Sequence, residues 1–198
     1  MARIKKAIDY VNALCLSEKA ERRAFGNRLK VSLKDFLAFN ELVKKNRDEI
    51  GAALFFGRFR AYAFEEYIYL LLQEKIQIPK PLGLFWGKKC LVWREDEREY
   101  SLEFDISIGN EVGQSVEPVI VFDAKLEPDS ARLKTALASF AILKRRNPKA
   151  KCILAYVIKD LASSLLELAS YWMDGIFQFN FEKNETTAFL NCVVKSLS

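Results

Sequence analysis

Residues 119–126 read Val119-Ile120-Val121-Phe122-Asp123-Ala124-Lys125-Leu126, and this stretch decides the fold. In a strand, residues two apart point to the same side, so Asp123 and Lys125 emerge together beside Val119 and Val121. Ile120, Phe122, Ala124 and Leu126 take the other side. A run this apolar suits a central strand covered on both faces. A charge in such a strand is costly unless it is paired or bound to a metal. The two charges therefore mark either a site or a structural ion pair.

Working upstream, Leu102, Phe104, Ile106 and Ile108 alternate with Glu103, Asp105 and Ser107. That period of two predicts a half-buried strand over 101–108 with Asp105 on its polar face. Between Asp105 and Asp123 lie Gly109, Asn110, Gly113, Gln114 and Ser115, which are turn residues. The two strands are expected to form a hairpin that brings the aspartates together. Further back, residues 52–74 form a long apolar and aromatic run with no proline. Phe55, Phe56, Phe59, Ala63, Tyr67, Leu70 and Leu71 follow helical spacing. Glu65 and Glu66 interrupt this helix about 100° apart, so only one of them can line a site well.

The remaining segments predict an α/β core with an added N-terminal helical region. Residues 1–50 look helical, with Ser32-Leu33-Lys34-Asp35 at the spacing of a capping box, and form either an extra layer or a dimer surface. Pro79 and Pro81 end the long helix, and Cys90 to Arg94 is expected to start the sheet. A helix is predicted over Asp129 to Arg146, before Asn147-Pro148, and a strand over Lys151 to Ile158. Asp160 is placed as the cap of a helix through Met173, stopped by Gly175, and Ile176 to Phe181 as an edge strand. With 198 residues, the expectation is one domain: a helical extension over 1–50 and a core over 52–181.

An acid in a helix, an aspartate at a strand end, and Asp-x-Lys in the next strand resemble the PD-(D/E)xK nuclease superfamily. Phe64-Glu65-Glu66-Tyr67-Ile68-Tyr69-Leu70, Leu102-Glu103-Phe104-Asp105 and Phe122-Asp123-Ala124-Lys125 are similar in motif to McrC-like nuclease domains. The resemblance covers residues 52–158. Phe104 stands where the family name has proline, and Asp123 is within the pattern. It implies a restriction-endonuclease-like core, a central mixed β-sheet flanked by helices, and metal-dependent cleavage of DNA. Asp105, Asp123 and Glu65 would hold Mg2+ or Mn2+, with the Ala124 carbonyl as a further donor. Lys125 would orient the attacking water or steady charge on the phosphate. Glu65 is preferred to Glu66 because the family-like pattern puts the acid directly after the aromatic. Hard cations take oxygen donors and activate bound water, and lysine is a compact cation whose pKa shifts readily on burial.

Composition narrows the classes further. Histidine is absent, which excludes Ser-His-Asp hydrolases, Cys-His proteases and His-ligated zinc hydrolases. No phosphate-loop motif is present, so any ATP-driven step would need a separate NTPase or specificity subunit. Cys15, Cys90, Cys152 and Cys192 are far apart in sequence and read as small buried hydrophobes in a reducing compartment. No apolar run reaches membrane-span length and no signal-peptide core follows the N-terminus, so a cytoplasmic location is expected. The net charge is +5. Basic residues between Lys5 and Arg47, then Arg58 and Arg60, and the group Lys144, Arg145, Arg146, Lys149 and Lys151, are candidates for phosphate contacts or solvated helix faces. Together with the resemblance, these features imply a DNA endonuclease acting in restriction or DNA processing, with DNA and a second copy of the chain as partners. The rival is a non-cleaving DNA-binding or assembly subunit that keeps the fold.

Overall fold

Helices fill the first part of the chain and a sheet the second. The computed structural model describes residues 6–50, 53–96, 98–158 and 162–198. The chain divides into two compact units, Met1–Leu70 and Leu71–Ser198.

The N-terminal unit holds α1 (Ala7–Cys15), α2 (Ala20–Ser32), α3 (Phe36–Lys45), α4 (Arg47–Ile50) and most of α5 (Ala53–Lys75). Its core is aromatic: Phe36 meets Phe64, and Phe59 packs between Tyr10 and Phe39. The expected capping box is corrected. Ser32 closes α2, its hydroxyl donating to the Leu29 carbonyl. Asp35 is itself the N-cap of α3, accepting from the Leu37 and Ala38 amides. The core face of α5 also differs from the expected one. Phe59, Ala63, Phe64, Ile68 and Leu72 are buried, whereas Leu70 is exposed. A helix this apolar all round has too little contrast for spacing alone to orient it.

The C-terminal unit is built on a seven-stranded mixed sheet. Its strands are β1 (Gly83–Trp86), β2 (Lys89–Glu95), β3 (Arg98–Glu103), β4 (Ile106–Val112), β5 (Ser115–Lys125), β6 (Lys151–Tyr156) and β7 (Gly175–Gln178). β5 pairs antiparallel with β4, parallel with β2 near Val116, and parallel with β6 from Ile120 to Lys125. β1 adds to β4, β3 to β2, and β7 to β6. Helix α6 (Ser130–Arg146) puts Leu133, Ala136, Phe140 and Leu143 onto the face that carries Val121, Cys152 and Leu154. On the opposite face, Phe189 of α8 (Thr186–Leu197) meets Phe122, Phe177 and Phe179 edge-on. The expected α/β architecture, a central mixed sheet flanked by helices after an N-terminal helical region, is what the structure shows.

Several boundaries move. The sheet starts at β1, one strand before Cys90. The expected strand over 101–108 is two strands, broken at Phe104 and Asp105. β4 is not half-buried at its start: Ile106, Ser107, Ile108 and Gly109 are all buried, because β4 lies between two neighbours under a covered sheet. The predicted hairpin is present with Gly113 at its turn (φ +59°). Gly109 belongs to the strand, where its backbone runs so close to Pro118 that a Cβ would lie 2.7 Å from the Pro118 Cα. The helix expected through Met173 is α7 (Ser163–Ala169), and Gly175 opens β7 instead of closing that helix. Asp160 lies outside the described residues. α8 had no counterpart among the sequence expectations.

Candidate active site

The break between β3 and β4 puts Asp105 against the end of β5. Phe104 leaves the ladder to stack on Phe140 of α6, ring centroids 6.0 Å apart. The Asp105 carbonyl is held by the Gly87 amide at 2.9 Å. The β4–β5 register runs Ile106 opposite Phe122, so Asp105 stands beside Asp123 and no β4 backbone reaches Ala124. The Asp105 carboxylate takes that place. Its Oδ2 accepts from the Ala124 amide at 2.8 Å and from Lys125 Nζ at 2.9 Å.

Lys125 bridges the two acids, since Nζ also forms an ion pair with Asp123 Oδ1. Side-chain exposure is 14% for Asp123, 23% for Asp105 and 27% for Lys125, so Asp123 lies deepest. Its burial, reinforced by the Asp105 charge and only partly offset by Lys125, pushes its pKa from 3.8 up to about 7. Burial alone would lower the Lys125 pKa. The two carboxylates outweigh it and hold the ammonium above its ordinary value. The three groups open onto a cavity of about 290 Å³, also lined by Glu103 and, from α6, by Arg132, Thr135 and Ser139.

This donor set suits a hard divalent cation. With both acids ionised, two carboxylates face one ammonium, leaving one surplus negative charge. Asp123 Oδ1 is buried and meets the ammonium without an aligned hydrogen-bond donor. Among the described residues no group of three or more His, Cys, Asp or Glu side chains forms a metal cluster. Two carboxylates still suffice for Mg2+, which keeps several waters and takes substrate phosphate oxygens as its other ligands.

Glu65 is half-buried on α5 in the N-terminal unit. Glu66 is buried and caps another helix: its Oε2 accepts from the Ala7 amide at 2.6 Å, and more distantly from Ile8, at the start of α1. Burial raises its pKa against those two bonds. Arg58 is exposed. Arg60, expected as a DNA contact, is corrected to a structural role. It is 7% exposed, with Nε donating to Asn40 Oδ1 at 2.9 Å and the guanidinium over the Phe56 ring. Lys144 is likewise tied down, by Asp174 at 2.6 Å. Asp174 also receives Lys151 and the Cys152 amide. Burial opposes ionisation of Asp174, yet these partners lower its pKa. Arg145 and Arg146 are exposed. The sequence reading missed Arg132, Thr135 and Ser139. Their spacing of three and four, in the helix directly after Asp-x-Lys, was the available signal.

No protein-family model matches the chain, and no curated protein matches it in sequence. Among solved structures, a chain of the native BbvCI A2B2 tetramer, determined at low resolution, is similar at a TM-score of 0.46 and 13% identity. The match covers 92% of this chain and 76% of that one. It is too distant to transfer an activity or an assembly. Among the described residues, no helix is long and apolar enough to cross a membrane.

Proposed function

We propose that this chain is a divalent-metal-dependent endonuclease that hydrolyses DNA phosphodiester bonds, in restriction or in DNA processing. The observation that carries the reading is the convergence of Asp105, Asp123 and Lys125 on one open cavity at the end of a central strand. Asp105 and Asp123 would hold Mg2+ or Mn2+, with Glu65 as the proposed third acid. When bound, the metal supplies a Lewis acid for a phosphate oxygen and lowers the pKa of a water. Asp105 is fixed by the Ala124 amide, so its carboxylate enters the reaction already oriented. Lys125 donates hydrogen bonds to the attacking water or to the oxygen on which charge develops. Arg132, which lines the cavity, is steered by its hydrogen bond to the Glu127 carbonyl and its ion pair with the Asp129 carboxylate, and attracts the phosphate. Arg58, Arg145 and Arg146 are the exposed bases proposed for further phosphate contacts. DNA is the substrate, a second copy of the chain supplies the second site for duplex cutting, and a separate NTPase or specificity subunit is compatible with the missing phosphate loop. A cytoplasmic location accords with this role.

A second reading has its own support. Lys125 already pairs with both acids, as it would in a non-cleaving DNA-binding or assembly subunit. Incubation with supercoiled, linear, single-stranded and branched DNA, with Mg2+, Mn2+ or excess chelator, separates the two. Metal-dependent cleavage lost in Asp123→Ala supports the nuclease. No cleavage of any form, with DNA still bound, supports the subunit.

A further inference from the structure

A second cavity, of about 540 Å³, lies between α6 and β2 and is lined by Val92, Trp93, Ala141, Ile142, Arg145 and Arg146. Strict alternation would send Val92 and Trp93 to opposite faces. The register shift between Leu91 and Trp93 lets both border the groove. Trp93 remains 39% exposed and Ile142 45%. Among the described residues, Arg145 and Arg146 form no ion pair, whereas their neighbour Lys144 is neutralised by Asp174. An aromatic face, an aliphatic floor and two uncompensated guanidiniums, with no acid in the lining, match the two halves of a nucleotide. The base stacks on the ring, and the arginines meet the phosphates.

The groove is also in line with the candidate active site. Arg132, Thr135, Ser139, Ile142 and Arg146 recur at alternating steps of three and four, so they form one stripe along α6. The first three line the Asp105–Asp123–Lys125 cavity and the last two line the groove. From Thr135 to Ile142 the helix advances about 10 Å, a distance that a few nucleotides of one DNA strand can span. We infer that the groove between α6 and β2 binds an unpaired base of a DNA strand that runs along this stripe from the cleavage site. The inference rests on the nuclease reading in taking DNA as the ligand. It adds a preference for single-stranded or locally unpaired substrate.

The test measures binding in excess chelator, so that no cleavage intervenes. A labelled single-stranded oligonucleotide and its matching duplex are titrated with the wild-type chain, Trp93→Ala, Trp93→Phe and the double variant Arg145→Ala/Arg146→Ala. Single-stranded DNA should bind more tightly than duplex, and Trp93→Ala should weaken it roughly tenfold or more, the loss expected for one base–aromatic stack. Duplex binding by that variant should stay near wild type. Trp93→Phe, which keeps a ring, should retain most of the affinity, and the double variant should weaken both forms. Trp93 is partly exposed, so the melting temperatures of both Trp93 variants should remain close to wild type. Unchanged single-strand binding by Trp93→Ala overturns the inference. An equal loss for both forms also does so and leaves only a cationic patch. Self-association that Trp93→Ala abolishes, with DNA binding intact, would make the groove an interface between copies. A chain that shows Trp93-dependent binding but never cuts with metal keeps the groove and loses the nuclease function. The opposite pattern keeps the nuclease and loses the groove.

Discussion

Asp123 and Lys125 leave the same face of one strand, and burial disfavours the charge on both, yet the outcomes differ. The carboxylate is held back from ionising, while the ammonium is held charged by two acids. Removing Lys125 therefore leaves two carboxylates beside each other with no counter-charge. In chelator, Lys125→Met should lose up to about 3 kcal/mol of stability. If the acids hold a divalent cation, added Mg2+ should restore much of that loss in a thermal melt. Cleavage should fall by orders of magnitude, on the scale of a lost electrostatic stabiliser of the transition state, with little change in DNA affinity. A folded Lys125→Met protein that cuts at the wild-type rate would reduce the lysine to a structural ion pair. The two glutamates divide similarly. Glu66 caps α1, so Glu66→Ala should cost about 1–2 kcal/mol of stability and leave the cleavage rate of the folded fraction nearly unchanged. Glu65→Gln should do the reverse. Single-turnover rates and melts on the same preparations decide the assignment.

At the scale of elements, the site depends on the register of the β4–β5 hairpin, which brings Asp105 to the side of Asp123. Gly109 permits that register because no side chain fits against the Glu117–Pro118 backbone. Gly109→Ala should cost about 1–3 kcal/mol through overpacking, seen as a lower melting temperature. Cleavage should fall with it, because a shifted β4 misplaces Asp105. A normal melt would mean the strand absorbs the methyl group. The hairpin and the Asp-Asp-Lys set were legible because strand alternation and Asp-x-Lys are local signals, spaced by the turn at Gly113. The break at Phe104 was not, because there Phe104 stacks on Phe140 of another element, and alternation through 101–108 hides it. Glu66 capping Ala7, and Arg60 turning inward to Asn40, are also long-range choices with no local signature. β1 is four residues long, and Glu185, the N-cap of α8, makes no side-chain cap hydrogen bond, so neither announced itself. In α5 the helix was plain, but its buried face was not, since apolar residues surround it.

For the whole chain, one candidate site must account for both its charge behaviour and any double-strand cut. Asp123 has a pKa raised in the fold from 3.8 to about 7. Its contribution to stability is therefore fully present below 3.8 and is lost as pH rises through about 7. Cation binding needs the ionised form, so the Mg2+-induced rise in melting temperature, and the cleavage rate, should both grow as pH increases through neutrality. A Mg2+ effect largest in acid would remove Asp123 from the ligand set. The Asp105–Asp123–Lys125 cavity serves one phosphodiester at a time, and the strands of a duplex run in opposite directions, so cutting both requires a second site related by a two-fold axis or a second binding event. On supercoiled plasmid, a chain acting alone should accumulate open circles before linear product, with both rates first-order in protein. If copies pair on DNA, linear product should appear without a nicked intermediate, and its rate should rise more steeply than protein concentration. Adding an excess of Asp123→Ala protein should then convert the paired activity into nicking, because mixed pairs carry one working site. Unchanged linearisation in that mixture would show that each chain cuts both strands by itself.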